Sequence, residues 1–198
     1  KQGFRVVLPD AANHGERKTE LSPIPSLTFW NSIQSNLFEF SFIVDFFENL
    51  GVTTDQIGVG GVSMGGMTTA GLLTQHPEIT AAACIMGSPA MIRYRERILY
   101  HAGAAGFFLP NDYEKLLGWI DAYDLDSQID TLAERPFLIW HGTEDEKIPY
   151  EHIKDFVEKH PKENIEFIFE DERHLVRGAT MDLVTEFFAN NLPRVTDV

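Results

Sequence analysis

The sequence predicts an α/β fold in which a mostly parallel sheet is flanked by helices on both faces. Two observations support this prediction. Short apolar runs alternate along the chain with longer stretches of helical periodicity. The apolar runs are also continuous, without the apolar–polar alternation expected of a strand that has one face in water. In such a sheet, functional side chains gather at the carboxyl ends of the strands.

The composition is that of one α/β domain, which we expect to span residues 1–198. Of the 198 residues, 43% are hydrophobic, which is enough for one sizeable core. The formal net charge of −14 argues against a nucleic-acid partner, because no basic patch would neutralise phosphates. No run approaches the roughly 18 apolar residues of a membrane span, so we expect no membrane partner. Cys84, the single cysteine, lies in an apolar run, which favours a reduced, cytoplasmic protein.

The first part of the chain predicts a strand, a long loop and a long helix. Residues 3–10 predict a strand, and residues 11–26 form a loop rich in Pro, Gly, Asn and charge. From about residue 29 to residue 50, apolar residues recur at alternating steps of three and four, which predicts a helix ended by Gly51. Further apolar residues widen its apolar face, so we expect this helix to be covered on two sides: Phe38, Phe42, Ile43, Phe46 and Leu50.

A strand, a sharp turn and a helix follow over residues 56–73, and the turn holds Ser63. Gly61 and Gly65 flank this serine in the pattern G-x-S-x-G. A nucleophilic serine must stand on a tight strand-to-helix turn above a sheet. Residues two before and two after it then approach each other, and we expect a Cβ at either place to clash. The alternative is a glycine-rich turn in which Ser63 only caps the helix.

The second half of the chain continues the alternation after one interruption. Residues 90–135 are rich in aromatic residues and broken by Gly103, Gly106 and Pro110, so we interpret them as a helical insertion of two to four short helices. Its aromatic residues would line a pocket or pack the insertion onto the core. Strands are expected at residues 79–86, 137–140 and 165–169, and helices at residues 149–160 and 180–192.

Three polar residues follow the carboxyl ends of separate predicted strands: Ser63, Asp145 and His174. A serine hydroxyl is a poor nucleophile at neutral pH and needs a base within hydrogen-bonding reach. Histidine suits that role because its pKa lies near neutrality, and a carboxylate on its far nitrogen fixes the tautomer. We therefore predict Ser63 as the nucleophile, His174 as the base and Asp145 as the orienting acid.

Other histidines and carboxylates compete for two of these roles. Alternative bases are His14 and His141, although hydrogen bonding to loop backbone would also explain a histidine at position 141. The remaining histidines are expected at a helix terminus or on solvated helix surfaces: His76, His101, His152 and His160. The other carboxylates nearby are alternative acids or parts of a solvated acidic surface: Glu144, Glu146 and Asp171.

These residues stand in motifs that resemble those of small α/β-hydrolase serine esterases. The motifs are residues 61–66, residues 135–149 and His174, and the resemblance covers nearly the whole chain. Within that family, the chain is most similar to the branch of bacterial carboxylesterases that is related to dienelactone-hydrolase-like and prolyl-oligopeptidase-type catalytic domains. The resemblance implies hydrolysis of a small-molecule carboxylic ester through an acyl-enzyme, with the Met64 N–H as an oxyanion donor and no metal or other cofactor. Serine at position 63 departs from dienelactone hydrolases, which makes that activity less expected.

The sequence departs from this fold at its N-terminal end. In the fold, two strands, the strand carrying the second oxyanion donor and the first helix precede the equivalent of residues 3–10. We therefore expect roughly 45–55 further N-terminal residues in the full protein, and a gap in the sheet beside the Ser63 strand without them. Two other functions stay open: a peptidase or acyl-peptide hydrolase, and a non-catalytic binding protein on the same fold.

Overall fold

A four-stranded parallel sheet forms the centre of the computed structural model, which describes residues 3–24, 26–53 and 56–192. Its strands pair in the order β1-β2-β3-β4, which is also their order along the chain. Their bounds are Ile57–Val62 (β1), Ile79–Ile85 (β2), Phe137–Gly142 (β3) and Ile165–Glu170 (β4). The predicted parallel α/β architecture is therefore confirmed, because β2 and β3 are continuous apolar runs that need cover on both faces.

Helices cover both faces of this sheet. On one face, α2 packs against β1 and β2, α5 packs against β3, and α1 lies on α2. On the other face, α6 covers Ala83, Leu138 and Trp140. The helices in the described residues are Leu27–Asn49 (α1), Met64–Gln75 (α2), Met91–Ala104 (α3), Tyr113–Leu116 (α4), Tyr150–Lys159 (α5) and Gly178–Asn191 (α6). None of the helices in the described residues is long and apolar enough to span a membrane.

Residues 3–10 do not form the predicted strand. They run without regular secondary structure and pair with no strand in the described part of the chain; Leu8 is 88% exposed. A strand is stable only when a neighbouring strand satisfies its backbone groups, and β1 pairs with β2 alone. Residues 3–10 are therefore apolar enough for a strand, but among the described residues they have no neighbouring strand to pair with, and pairing decides whether such a run becomes a strand.

Helix α1 is covered on one side and not on two, which corrects our expectation from its wide apolar face. Trp30, Ile33 and Leu37 are buried in the core, whereas Phe38, Phe42 and Phe46 are more than half exposed. The buried residues follow the stripe with steps of three and four that packs onto α2. Met181 of α6 is also 43% exposed, although it is an apolar residue of a helix that packs onto the sheet.

The segment 90–135 contains α3, α4 and two short 3₁₀ helices, Gly118–Ala122 and Ile129–Leu132. Its apolar residues join the same core as α1 and α2, since Tyr113, Leu117 and Ile120 are buried there. The expectation that aromatic residues pack this segment onto the core is met by Tyr113. Tyr100, Phe107 and Phe108 instead point outward and are at least 60% exposed.

Candidate active site

Ser63, His174 and Asp145 meet at the carboxyl ends of the strands, joined by two short hydrogen bonds. The Ser63 hydroxyl lies 2.8 Å from Nε2 of His174, and Nδ1 of His174 lies 2.7 Å from Oδ2 of Asp145. The structure thus brings together the three residues that the sequence analysis selected, although Asp145 lies 29 positions and Ser63 111 positions from His174. Because the carboxylate can only accept, Nδ1 carries the proton and Nε2 is free to accept from the serine.

Ser63 stands on a strained turn between β1 and α2. Its φ of 55° and ψ of −112° are rare for a residue with a Cβ, so the surrounding structure must impose them. Two hydrogen bonds do so: the Ser63 N–H donates to the Ile85 carbonyl at 2.7 Å, and the Met67 N–H donates to the Ser63 carbonyl at 3.1 Å. The predicted sharp strand-to-helix turn is therefore present, and it projects the side chain away from the sheet.

The two glycines around Ser63 are not equivalent, which corrects the expectation that a Cβ at either would clash. A Cβ at Gly61 would lie 2.4 Å from the backbone carbon of Gly65. A Cβ at Gly65 would have no heavy atom within 4 Å. The close approach in this turn is thus made by Gly61 against the helix backbone, and a further one joins Gly66 to Gly87, where a Cβ on Gly66 would lie 3.0 Å from the Gly87 Cα.

Asp145, in the loop after β3, is held by three donors, of which two lie in the same loop and the third is His174. Its Oδ1 accepts the backbone N–H groups of Lys147 and Ile148 at 2.8 and 2.9 Å, which leaves Oδ2 for His174. Burial alone would raise the pKa of this carboxyl, but the hydrogen bonds from His174 and the two amides outweigh it and hold the pKa below its usual value. The group is therefore an anion fixed in one orientation.

His141, one of the alternative bases, is hydrogen-bonded to the backbone of the loop that carries Asp145. Its fully buried ring donates from Nε2 to the Ile148 carbonyl at 2.8 Å, and the same nitrogen lies 3.5 Å from Oδ2 of Asp145. Burial lowers the pKa of His141, so the ring is held neutral. This is the backbone role that we kept open for this residue, and Ser63 bonds to His174 instead.

The other competing residues lie outside this chain of hydrogen bonds. His14 is exposed and donates to the Ala12 carbonyl. Glu146, an alternative acid, accepts the backbone N–H of His174 at 3.4 Å, and Asp171 lies 3.5 Å from the Thr143 hydroxyl. The expectation that His152 and His160 are solvated is wrong. His160 is hydrogen-bonded to Asp126 at 2.8 Å. The pKa of His152 is lowered to about 4, mainly by burial and then by the positive charges of Arg93 and Arg97.

Met64, the predicted oxyanion donor, is the first residue of α2. The amides of a first helical turn have no acceptor within the helix, so they point toward the space beside the serine. Within the described residues, no group of three histidine, cysteine or carboxylate side chains is placed to hold a metal ion. Burial raises the pKa of Cys84 to about 12, so this thiol is a packing group that stays protonated.

Comparison with known proteins identifies the family of this chain. The family model described as the prolyl oligopeptidase family matches residues 36–192, a range that contains Ser63, Asp145 and His174. The chain belongs to the prolyl oligopeptidase family. The predicted α/β-hydrolase fold is confirmed by this family and by the parallel sheet with helices on both faces.

Two bacterial relatives and one solved structure are similar to this family member. The chain is 32% identical over 206 aligned positions to "Putative esterase YitV" of Bacillus subtilis (strain 168), covering 97% of the chain and 80% of that protein. It is 27% identical over 148 positions to "Esterase YjfP" of Escherichia coli (strain K12), covering 74% of the chain and 59% of that protein. The structure of the Pyrococcus furiosus esterase Pf2001 matches with a TM-score of 0.63 at 17% identity. The match covers 97% of this chain and 73% of that one. The last similarity concerns the fold alone.

Proposed function

We propose that this protein is a serine carboxylesterase that uses Ser63, His174 and Asp145 as its catalytic triad. The observation that carries the proposal is the unbroken hydrogen-bonded chain from the Ser63 hydroxyl through His174 to a buried carboxylate. A serine hydroxyl alone is not nucleophilic enough at neutral pH, and this arrangement supplies both the base and its orienting group. The names of the two bacterial relatives support esters as the substrate class.

In the proposed mechanism, His174 takes the Ser63 proton through Nε2 while Oγ attacks the ester carbonyl carbon. Asp145 stabilises the imidazolium that forms and keeps Nε2 aimed at the serine. The Met64 N–H stabilises the oxyanion of the tetrahedral intermediate, with the positive end of α2 behind it. His174 then protonates the leaving alcohol, and it serves again as base when water hydrolyses the acyl-enzyme.

The test is the turnover of p-nitrophenyl acetate and butyrate by the full-length protein and its Ser63→Ala variant. We expect kcat to fall by about 10⁴-fold or more, because the nucleophile is removed while binding is retained. Ser41→Ala is a matched control, since Ser41 is exposed on α1 and takes no part in the hydrogen bonds that join Ser63, His174 and Asp145. Covalent labelling by a fluorophosphonate should disappear in Ser63→Ala and persist in Ser41→Ala. Unchanged ester turnover in Ser63→Ala would contradict the proposal.

A peptidase activity is the second candidate, and the matched family model favours it through its description. The same triad can cleave an amide, provided that a binding surface holds the peptide in place. Chromogenic dipeptide amides assayed beside p-nitrophenyl butyrate decide between the two candidates. We expect kcat/KM for the ester to exceed that for the amides by at least about 100-fold, and the reverse order would favour the peptidase.

A further inference from the structure

A cavity of about 410 Å³ lies between α3 and the loop that joins β3 to α5. Three basic side chains line it, Arg97 and His101 from α3 and Lys147 from the loop. Tyr94, Ile98 and Phe107 supply most of its apolar wall, and none of its described lining residues is acidic. We call this space the basic cavity. The basic cavity opens to the surface and is not a void in the core, since His101 and Lys147 are exposed and Arg97 is half-buried.

The two strongest cations of the basic cavity stand without a carboxylate. On the same helix, Arg93 pairs with Asp155 at 2.8 Å and Arg95 pairs with Asp121 at 2.9 Å. Within the described part of the chain, neither Arg97 nor Lys147 has a carboxylate oxygen within 4.0 Å. Acidic residues outnumber Lys and Arg by 30 to 16, so the chain as a whole is strongly acidic. Two unpaired cations facing one cavity therefore form a local positive field in an acidic protein.

The basic cavity adjoins the proposed catalytic triad. The Lys147 backbone N–H donates to Oδ1 of Asp145 at 2.8 Å, so this wall of the cavity and the triad acid belong to the same short loop. Tyr94 also lines the cavity, and burial raises the pKa of its hydroxyl. The positive charge of Arg97 lowers this pKa, and the negative charge of Asp145 raises it further. Tyr94 thus lies within electrostatic range of both Arg97 and the triad acid. Glu146 on the same loop faces the His174 backbone instead.

We propose that the basic cavity binds a carboxylate carried by the ester substrate, so that the enzyme prefers anionic esters such as monoesters of dicarboxylic acids. This inference rests on the proposed function. The planar Arg97 guanidinium matches a carboxylate with two parallel hydrogen bonds, and Lys147 adds a mobile point charge. Ile98 and Phe107 contact the hydrocarbon part of such a molecule. The substrate is thereby held by its charged end while its ester carbonyl reaches Ser63.

The experiment compares kcat/KM for the p-nitrophenyl monoester of glutaric acid with that for p-nitrophenyl butyrate. These esters have similar length, but the first is an anion and the second is neutral. We expect Arg97→Gln to lower the ratio of charged to neutral ester by about 10-fold, and Lys147→Gln by about 3-fold because Lys147 is exposed. The matched controls are Arg95→Gln on the same helix and Lys154→Gln on α5, whose partners are Asp121 and Glu158. Both controls should keep the wild-type ratio. Arg97→Lys, which keeps the charge, should restore most of the loss.

Two outcomes would overturn the inference and leave the proposed function intact. One is an unchanged ratio in Arg97→Gln and Lys147→Gln while Ser63→Ala still loses turnover of both esters. The other is an equal fall for both esters in Arg97→Gln, which would indicate a structural role that charge does not explain. Failure of Ser63→Ala to affect either ester would instead contradict the proposed function itself.

Discussion

At the scale of single residues, burial sets which histidine performs which task. His174 is positioned between a hydroxyl and a carboxylate, so it can exchange a proton with Ser63. His141, only four positions before Asp145, is kept neutral by burial and bonds to backbone instead. In the proposed mechanism the imidazole of His174 is therefore the base, whereas burial keeps the ring of His141 neutral and that ring supports the acid loop.

The half-buried His152 of α5 should make the protein sensitive to acid. The pKa of His152 is about 4 in the folded protein and about 6.5 in an unfolded chain, so between these values only the unfolded chain binds the proton. Folding stability from this residue is therefore present above pH 6.5 and lost as pH falls through about 4. We expect His152→Gln to lessen the loss of unfolding free energy between pH 7 and pH 4.5 by on the order of 1 kcal/mol, after allowance for its partial exposure.

Urea denaturation at the two pH values measures this effect. Arg93 and Arg97 oppose protonation of His152, while Asp155 and Glu151 favour it, so the balance is local to α3 and α5. His101→Gln serves as the control because His101 is exposed on α3. A pH dependence that is the same in His152→Gln and in the wild type would contradict the assignment.

At the scale of elements, the β1–α2 turn depends on one glycine more than on the other. Gly61 lies at the end of β1, where the backbone of the first turn of α2 passes directly over it. Gly65 lies inside that first turn with open space at the position of a Cβ. The turn is therefore a contact between a strand and the helix that follows it, and the strand residue is the one that must lack a side chain.

This asymmetry predicts different stabilities for two alanine variants. Gly61→Ala places a Cβ 2.4 Å from the backbone of Gly65, where no rotamer can relieve the overlap, so we expect a loss of more than about 3 kcal/mol. Gly65→Ala meets no neighbour and adds a residue of higher helix propensity, so its unfolding free energy should change by less than about 1 kcal/mol. Urea titrations of both variants test this. Equal losses in the two would show that the turn is packed differently.

At the scale of the whole molecule, charge is the dominant imbalance. The net charge of −14 is spread over a single α/β sheet structure with few strong ion pairs to offset it. The pairs that exist, such as Arg17 with Glu39 and Lys159 with Asp126, are at least partly exposed. Exposed pairs contribute at most about 1 kcal/mol each, so repulsion among the remaining carboxylates should outweigh them.

We therefore expect salt to stabilise the folded protein at neutral pH. Raising NaCl from about 20 to about 200 mM shortens the screening length to below about 10 Å and weakens both repulsion and exposed ion pairs. Because repulsion is the larger contribution, the Tm should rise by a few degrees. Differential scanning calorimetry measures the shift, and KCl at equal concentrations should give the same shift if screening is the cause. A fall in Tm with salt would contradict this.

Much of the fold could be predicted from local patterns. The helix over residues 29–50, the continuous strands and the order in which they alternate followed from periodicity, because burial on one or both faces leaves a direct record in sequence. Three site residues were found because each follows the carboxyl end of a strand. The strand expected over residues 3–10 was wrong, and the further N-terminal residues stay a prediction.

Residue spacing and type by themselves determined the parallel α/β class, the turn at Ser63 and the choice of His174 and Asp145, because these depend on steric and chemical demands that act within a few positions. Only the tertiary structure decided that His141 supports the acid loop, that Phe42 of α1 faces outward, that Gly61 and not Gly65 makes the close approach, and that Arg97 and Lys147 face one cavity. Each of these outcomes depends on how the folded backbone arranges the groups around a residue, and Arg97 and Lys147 come from different parts of the chain. No local pattern records such an arrangement, since burial and pairing depend on what the rest of the chain places opposite a residue.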